Sequence, residues 1–258
     1  MIFRLRDLIY RRRNREVIYS TASYWDHKAM VFEGQAVSMW PNNSLNALYE
    51  RELHVVVSNF LGTVDGLDLL DLGCGIGRMS RWFAAKGARV TGVDFSEKSL
   101  EIAKRHSSNN NPIYRHESIF DLVDENAYDV VFVMGVLTVA CRDEAQLLDA
   151  LTRIRRSLRL DGRLLLIEPI HRGFLHRVLN MDLHEFIAVM RKARFEINAI
   201  TPLHFWPMRL VLAYVSWPSW VTIPMYYLGQ AFMKFPGFSK LGDYWAIFAY
   251  PTGDRAGS

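Results

Sequence analysis

The run LLDLGCGIGR at residues 69–78 constrains the fold more than any other stretch of the chain. Leu67, Leu69, Leu70 and Leu72 make a strand-like apolar run, glycines follow at Gly73, Gly75 and Gly77, and a helical pattern takes over from Met79 to Lys86. Strand, glycine turn and helix in that order have the shape of a nucleotide loop at the carboxyl end of a first parallel strand. A second short strand, Arg89 to Val93, ends on Asp94, and an acid there can accept hydrogen bonds from a ribose diol. Helical and strand patterns alternate on to about Ile167, as a parallel sheet with crossover helices requires. With 258 residues, half of them hydrophobic, the chain can bury one large α/β core.

Two details narrow the nucleotide. A dinucleotide fingerprint needs its third glycine five residues after the first, whereas Gly73, Gly75 and Gly77 run G-x-G-x-G with Arg78 in the sixth place. Asp71 lies two residues before the first glycine, and a pyrophosphate on a helix N-terminus wants donors and positive charge there, not an acid. S-adenosylmethionine has no phosphate and carries a sulfonium and an ammonium, so Asp71 near its amino-acid end is favourable. Asp71 can also cap backbone amides of the loop, and the two roles are compatible. A nicotinamide-dependent oxidoreductase is the rival enzyme class, and a noncatalytic S-adenosylmethionine-binding protein the rival outside catalysis.

Through these residues the sequence resembles the class I S-adenosylmethionine-dependent methyltransferases. The resemblance implies a Rossmann-like, seven-stranded, mostly parallel sheet with helices on both faces and an antiparallel last strand. It implies that Asp71, Gly73, Cys74, Gly75 and Gly77 form the cofactor loop, that Asp94 holds the ribose and that Phe95 packs on adenine. Glu117, Ser118 and Ile119, after a third strand Ile113 to His116, correspond to the positions that read the adenine edge; Glu117 stands where the family usually has Asp. Met134 ends a fourth strand, Tyr128 to Met134, beneath the methionine moiety. A helix from Glu144 to Leu158, the turn LRLDG and the strand RLLLIEP follow, with Gly162 keeping the reversal that the family writes LRPGG. Phe195 to Ile200 and Tyr244 to Tyr250 are expected as a sixth and seventh strand, paired as an antiparallel hairpin.

Three regions lie outside that core: a basic segment over residues 1–20, a helical lid over 21–62, and an apolar insertion at about 203–240 within a core of 63–258. Six arginines between Arg4 and Arg15 make the formal charge of +4 largely local. Ile2, Leu5 and Ile9 would share one helical face, so the segment is either a solvated basic tail or an anchor for an anionic membrane surface. No uninterrupted apolar stretch follows the charges, which argues against a signal peptide. In the lid, residues Ser44 to Leu61 carry a helical pattern with Asn43 or Ser44 as N-cap. Tyr24, Trp25 and Trp40 are its candidate pocket-closing aromatics, and Arg51 the candidate partner of the cofactor carboxylate.

Between Leu210 and Met233 there is no charged residue and no histidine. Roughly 20 apolar residues suffice for a membrane span, but a span would put the two strands of the hairpin on opposite sides of a bilayer. Pro218 and Pro224 should also break any continuous helix. The expectation is a set of short helices over the substrate end of the sheet, forming a plain cover, an apolar tunnel or a surface that dips into the membrane interface. That points to a cytoplasmic protein, with peripheral contact at the membrane surface as a second reading.

The acceptor is therefore expected to be a small molecule or lipid-like. The Asn/Asp-Pro-Pro-aromatic box of the base-amine methyltransferases is absent, its place reading Met134-Gly135-Val136-Leu137, and no basic-and-aromatic surface suggests a nucleic acid. Glu168, His171 and His176 lie past the fifth strand; His171 is the candidate base, because an imidazole titrates near working pH. His27, His184 and His204 are unranked. The two cysteines, Cys74 in the loop and Cys141 alone, offer neither a disulfide framework nor metal-ligand spacing.

Overall fold

The computed structural model describes residues 14–31, 40–108, 111–173 and 176–252. The basic run up to residue 13, with the proposed face of Ile2, Leu5 and Ile9, lies outside the described residues. Among the described residues three helices come first: α1 (Arg15–Tyr19), α2 (Ala22–Val31) and α3 (Asn43–Leu61). The core alternates β1 (Asp68–Leu72), α4 (Arg78–Ala84), β2 (Arg89–Asp94), α5 (Glu97–Arg105), β3 (Ile113–His116), β4 (Tyr128–Met134), the short α6 (Leu137–Ala140), α7 (Glu144–Ser157) and β5 (Leu158–Glu168). Then come α8 (Leu183–Lys192), β6 (Phe195–Phe205), α9 (Trp206–Leu212), α10 (Ser219–Met233) and β7 (Gly242–Pro251).

The seven strands form one sheet in the order β3-β2-β1-β4-β5-β7-β6. Neighbours among β1 to β5 pair in parallel, and β7 runs antiparallel to both β5 and β6. The order reverses at β1, so the loops after β1 and β4 part there and leave a crevice at the carboxyl edge. Alternation along the strands sends Leu70, Leu72, Val131, Val133, Leu164 and Leu166 into one apolar layer beneath α7 and α8. Leu69, Val130, Phe132, Leu165 and Ile167 pack into the other, with Leu53, Val57 and Leu61 of α3 and Phe83 of α4. Asp71 shares the face of Leu69, which explains why its carboxylate meets α4.

The LRLDG segment is not a free turn. It is taken up in β5 as an irregularity: Tyr128 pairs with Leu158, but Val130 already pairs with Arg163. The helix α3 begins one residue earlier than its pattern suggests, because the Asn42 side chain accepts from the Leu45 amide at 3.0 Å. Asn42 Nδ2 also donates to the Leu212 carbonyl at 3.1 Å and to Thr222 Oγ1 at 3.0 Å. One buried amide thus ties the start of the lid helix to both helices of the insertion.

The insertion corrects one expectation. Pro218 does separate α9 from α10, as its N-cap, but α10 runs unbroken through Pro224 to Met233. Proline removes one backbone donor, and here the burial of Thr222, Tyr226, Gly229 and Met233 outweighs that loss. Gly229 permits the close approach: a β-carbon there would stand 2.9 Å from Met208 Cγ and 3.1 Å from Phe205 Cβ. Among the described residues no helix is long and apolar enough to cross a membrane.

Candidate functional site

Gly73, Gly75 and Gly77 all adopt left-handed backbone, with φ of 75°, 53° and 72°, a conformation that costs side-chain-bearing residues. The Gly73 and Cys74 amides donate to the Val93 carbonyl at 2.7 and 3.0 Å, strapping the loop to β2. Beyond β2, the Asp94 carboxylate accepts the Gly75 amide on one oxygen and the Ser96 amide on the other, each at 2.8 Å. Burial pushes this carboxyl up, and the Ser96 and Gly75 amides oppose the rise. Asp94 therefore organises the loop as well as facing the crevice.

Two adjoining cavities open from the loop. One, of about 480 Å³, is walled by Gly73, Gly75, Asp94, Phe95, Glu117, Ser118, Ile119 and Met134. The other, of about 320 Å³, holds Asp71, Cys74, Tyr24 and Trp40, together with Tyr49, Arg78, Arg177, His204 and Tyr244. Gly75 is the joint between them. A β-carbon on Gly75 would meet nothing within 4 Å, whereas one on Gly73 would stand 2.2 Å from Val136 Cγ2 and one on Gly77 2.3 Å from the Tyr114 hydroxyl. Gly77 lines neither cavity and serves packing at the start of α4.

Asp71 does not cap loop amides. Ser80 Oγ donates to its Oδ2, and burial pushes the carboxyl up to about 7, with the Ser80 bond opposing and the charge of Asp94 adding to the rise. Beyond β4, Glu168 is fully buried and accepts from the amides of Val136, Leu137 and Thr138 at 2.8 to 3.2 Å and from the Thr138 hydroxyl at 2.8 Å. It positions the chain after β4 and is not available as a base. Burial raises the thiols of Cys74 and Cys141, so neither is a poised nucleophile. Among the described residues no His, Cys, Asp and Glu group could hold a metal ion.

Besides Gly77, two further predicted site residues fall elsewhere. Arg51 is exposed and lines neither cavity, because Tyr49, Leu53 and Val57 define the buried face of α3 and residue 51 points away from it. Two guanidinium groups reach the second cavity instead: Arg177, and Arg78, which is paired with Glu50 at 3.1 Å and drawn down to about 10 by burial. His171 also lines neither cavity. Its Nε2 lies 2.9 Å from the Asp243 carbonyl and 3.7 Å from Asp243 Oδ1. His27 and His184 are exposed. Of the histidines the sequence left unranked, only His204 reaches a cavity, and it sits at the end of a β6 five residues longer than its pattern indicates.

Helices α1 and α2 flank the crevice from the side. Ser96, the N-cap of α5, donates through Oγ to Asp26 Oδ1 of α2 at 2.6 Å. That bond brings Trp25, Lys28 and Ala29 over the first cavity, with Tyr19 of α1 beside them. Tyr19, Tyr24 and Trp25 pack edge to face or tilted, with ring centres 5.2 to 6.0 Å apart.

Residues 70–166 match the family model of the methyltransferase domain. A ubiquinone biosynthesis O-methyltransferase of Nitrosospira multiformis is 40% identical over 97 residues, 34% of this chain and 41% of that relative. The chain spans about half the length of the curated relatives it matches. Among solved structures, magnesium protoporphyrin IX methyltransferase of Synechocystis superposes with a TM-score of 0.61 at 17% identity, over 92% of this chain and 97% of that one. Geranyl diphosphate C-methyltransferase of Streptomyces coelicolor gives 0.62 at 18% identity, over 92% and 98%. At such identities the likeness is one of fold.

Proposed function

We propose that this chain, whose residues 70–166 match the methyltransferase domain, is a class I S-adenosylmethionine-dependent methyltransferase and that it methylates a small lipophilic acceptor delivered at or near a membrane surface. Its cofactor is S-adenosylmethionine. The observation that carries the reading is the open space over Gly75, flanked by Asp94 on one side and Asp71 on the other. These residues fit the cofactor. Asp94 suits the ribose hydroxyls, Phe95 and Ile119 an apolar ring, and Glu117 with Ser118 its polar edge. Asp71 offers negative charge to an ammonium, and Arg78 positive charge to a carboxylate. The same pair of acids beside the loop suits the pyrophosphate of a nicotinamide dinucleotide poorly.

The bound cofactor supplies an electrophilic methyl group. The chain's own residues align the acceptor with it, exclude water with the aromatic lid, and accept a proton where the acceptor must lose one. The outer face of α10 supports a lipophilic acceptor. Trp220, Ile223, Tyr227, Leu228 and Phe232 are exposed there, and Phe235 and Phe238 extend the patch between Lys234 and Lys240. Apolar and aromatic side chains flanked by lysines suit an anionic lipid interface.

The test is calorimetric titration with S-adenosylmethionine, followed by incubation with methyl-labelled cofactor and a bacterial lipid extract. Micromolar-range binding and label in the organic phase are expected. Binding of NAD with S-adenosylmethionine ignored would overturn the assignment, and binding without transfer to any lipid or small molecule would point to a noncatalytic protein.

A further inference from the structure

His204 is almost fully buried, 2% exposed, yet lines the second cavity with Gly73, Met134, Gly135 and Pro169. Its Nδ1 lies 2.8 Å from Glu52 Oε2. Among the described residues its Nε2 makes no hydrogen bond. The ring stacks on Tyr49, centres 3.4 Å apart and 15° from parallel, and meets Tyr244 edge to face at 5.9 Å. The backbone at His204 is left-handed, with φ of 57°, an uncommon state that persists where surroundings impose it.

Glu52 is built to face that ring. Its Oε2 also accepts from the Tyr226 hydroxyl and from Gln230 Nε2, the latter at 2.7 Å. Burial works to raise its carboxyl, but the bonds from His204 and Tyr226 prevail and hold it below the usual range. An ionised Glu52 accepts, so Nδ1 carries the ring proton and Nε2 keeps its lone pair. A carboxylate, an imidazole oriented by it and a cavity beyond are the parts of a general base with its positioning residue. Residues separated by 152 positions in sequence, on α3 and β6, make this pair.

We propose that His204 is the general base of this site, oriented by Glu52, and that the acceptor group is a hydroxyl. The inference rests on the methyltransferase reading above and adds the class of acceptor. The hydroxyl gives its proton to Nε2, and its oxygen pair forms a bond to the methyl carbon. The carbon–sulfur bond breaks with its electron pair left on sulfur, and the imidazolium is balanced by Glu52. Tyr49 of α3 and Tyr244 of β7 touch the ring, Tyr226 of α10 shares its partner Glu52, Asp243 of β7 and Arg209 of α9 act on Tyr49 behind it, and Arg177 lines the same cavity. None of these is hydrogen-bonded to the imidazole, whose one such partner among the described residues is Glu52.

The experiment uses the full chain, methyl-labelled S-adenosylmethionine, and two probes: a long-chain alkyl catechol and the matching alkyl aniline. His204→Asn is the main variant, since asparagine tolerates left-handed backbone. It should lose about 100-fold or more in kcat on the catechol, bind cofactor as the wild type does, and lack the acid limb of the pH–rate profile. Glu52→Gln should lose roughly tenfold, with that limb moved. Nitrogen-15 histidine spectra of the wild type should show His204 protonated on Nδ1, a pattern altered in Glu52→Gln. A folded His204→Asn that still methylates the catechol would overturn the proposal. So would a wild type that labels only the aniline or neither probe, or a His204 protonated on Nε2. Should His204→Asn not fold, Glu52→Gln and the spectra still decide. Failure of the wild type to bind S-adenosylmethionine is a different result, and sinks the methyltransferase reading itself.

Discussion

The two walls of the crevice are built by different means. The wall proposed for the cofactor is local: Gly73 to Asp94 closes within about one β-α-β unit, through amide bonds to Val93 and Asp94. The wall proposed for the acceptor is assembled from distant segments. Asn42 joins α3 to α9 and α10, Glu52 joins α3 to β6 and α10, and Arg209 of α9 meets Asp243 of β7. Local construction makes the first wall insensitive to what covers it. The second stands or falls with a few buried polar groups.

The sharpest way to break the acceptor wall is at Asp243. Both carboxylate oxygens are buried without an aligned hydrogen bond, and Arg209 Nε stands 2.7 Å from Oδ2, so the contact is mainly Coulombic. Burial raises this carboxyl, but the contacts with His171, Arg209 and Arg177 more than reverse the rise. Removing one member of such a pair strands the other charge. Asp243→Asn should cost about 3–5 kcal/mol in urea unfolding, and the double variant with Arg209→Met should recover part of that. A loss below about 1 kcal/mol would mean that water reaches the pair.

Gly75→Val tests the opposite wall. The substitution strains a left-handed residue by about 1–2 kcal/mol and fills the open space at the joint of the cavities. Cofactor affinity should fall by about 100-fold or more, roughly 2.7 kcal/mol, in calorimetry, while α3, α9 and α10 keep their packing. Unchanged affinity in a folded variant would remove the glycine loop from the site.

How much was legible follows the same division. The glycine loop, Asp94 and the sheet stood in the sequence because periodicity and left-handed glycines act over a few residues. Phe95, Glu117, Ser118, Ile119 and Met134 come together at one cavity because each sits at the carboxyl end of a parallel strand. Arg51 and His171 were misplaced because their positions depend on which face of α3 is buried and on the partner of Asp243, neither of which local pattern reveals. His204 went unranked for the same reason: its meaning lies in Glu52. Pro224 misled because the packing of α10 overrides a local rule.

An effect spread over pH is expected at Asp71. Its folded carboxyl, pushed up to about 7, lies above the value near 4 of an unfolded aspartate. Between those values the folded state holds the extra proton, so stability is fully present at low pH and declines as pH rises to about 7. Each unit of difference is worth about 1.4 kcal/mol. The urea midpoint of the cofactor-free protein should therefore be lower at about pH 8 than at about pH 5, and in Asp71→Asn the decline should vanish. An equal decline in both proteins would assign it to another group.

The smallest effect on stability, and the one that separates cover from contact surface, belongs to the outside of α10. Trp220 is 76% exposed, and Tyr227, seven residues on, shares its face at 49%. Neither fills the core, so Trp220→Ser with Tyr227→Ser should change unfolding free energy by less than about 0.5 kcal/mol each and leave cofactor affinity intact. Burying two aromatic rings in an interface is worth several kcal/mol at about 25 cal/mol per Å². Flotation with anionic liposomes should then carry the wild type upward and leave the double variant in solution, with activity on a lipid-embedded alkyl catechol lost and activity on a short soluble one kept. If both proteins float alike, or neither does, the exposed face of α10 is not the part that meets the membrane, and the acceptor must reach the second cavity from solution.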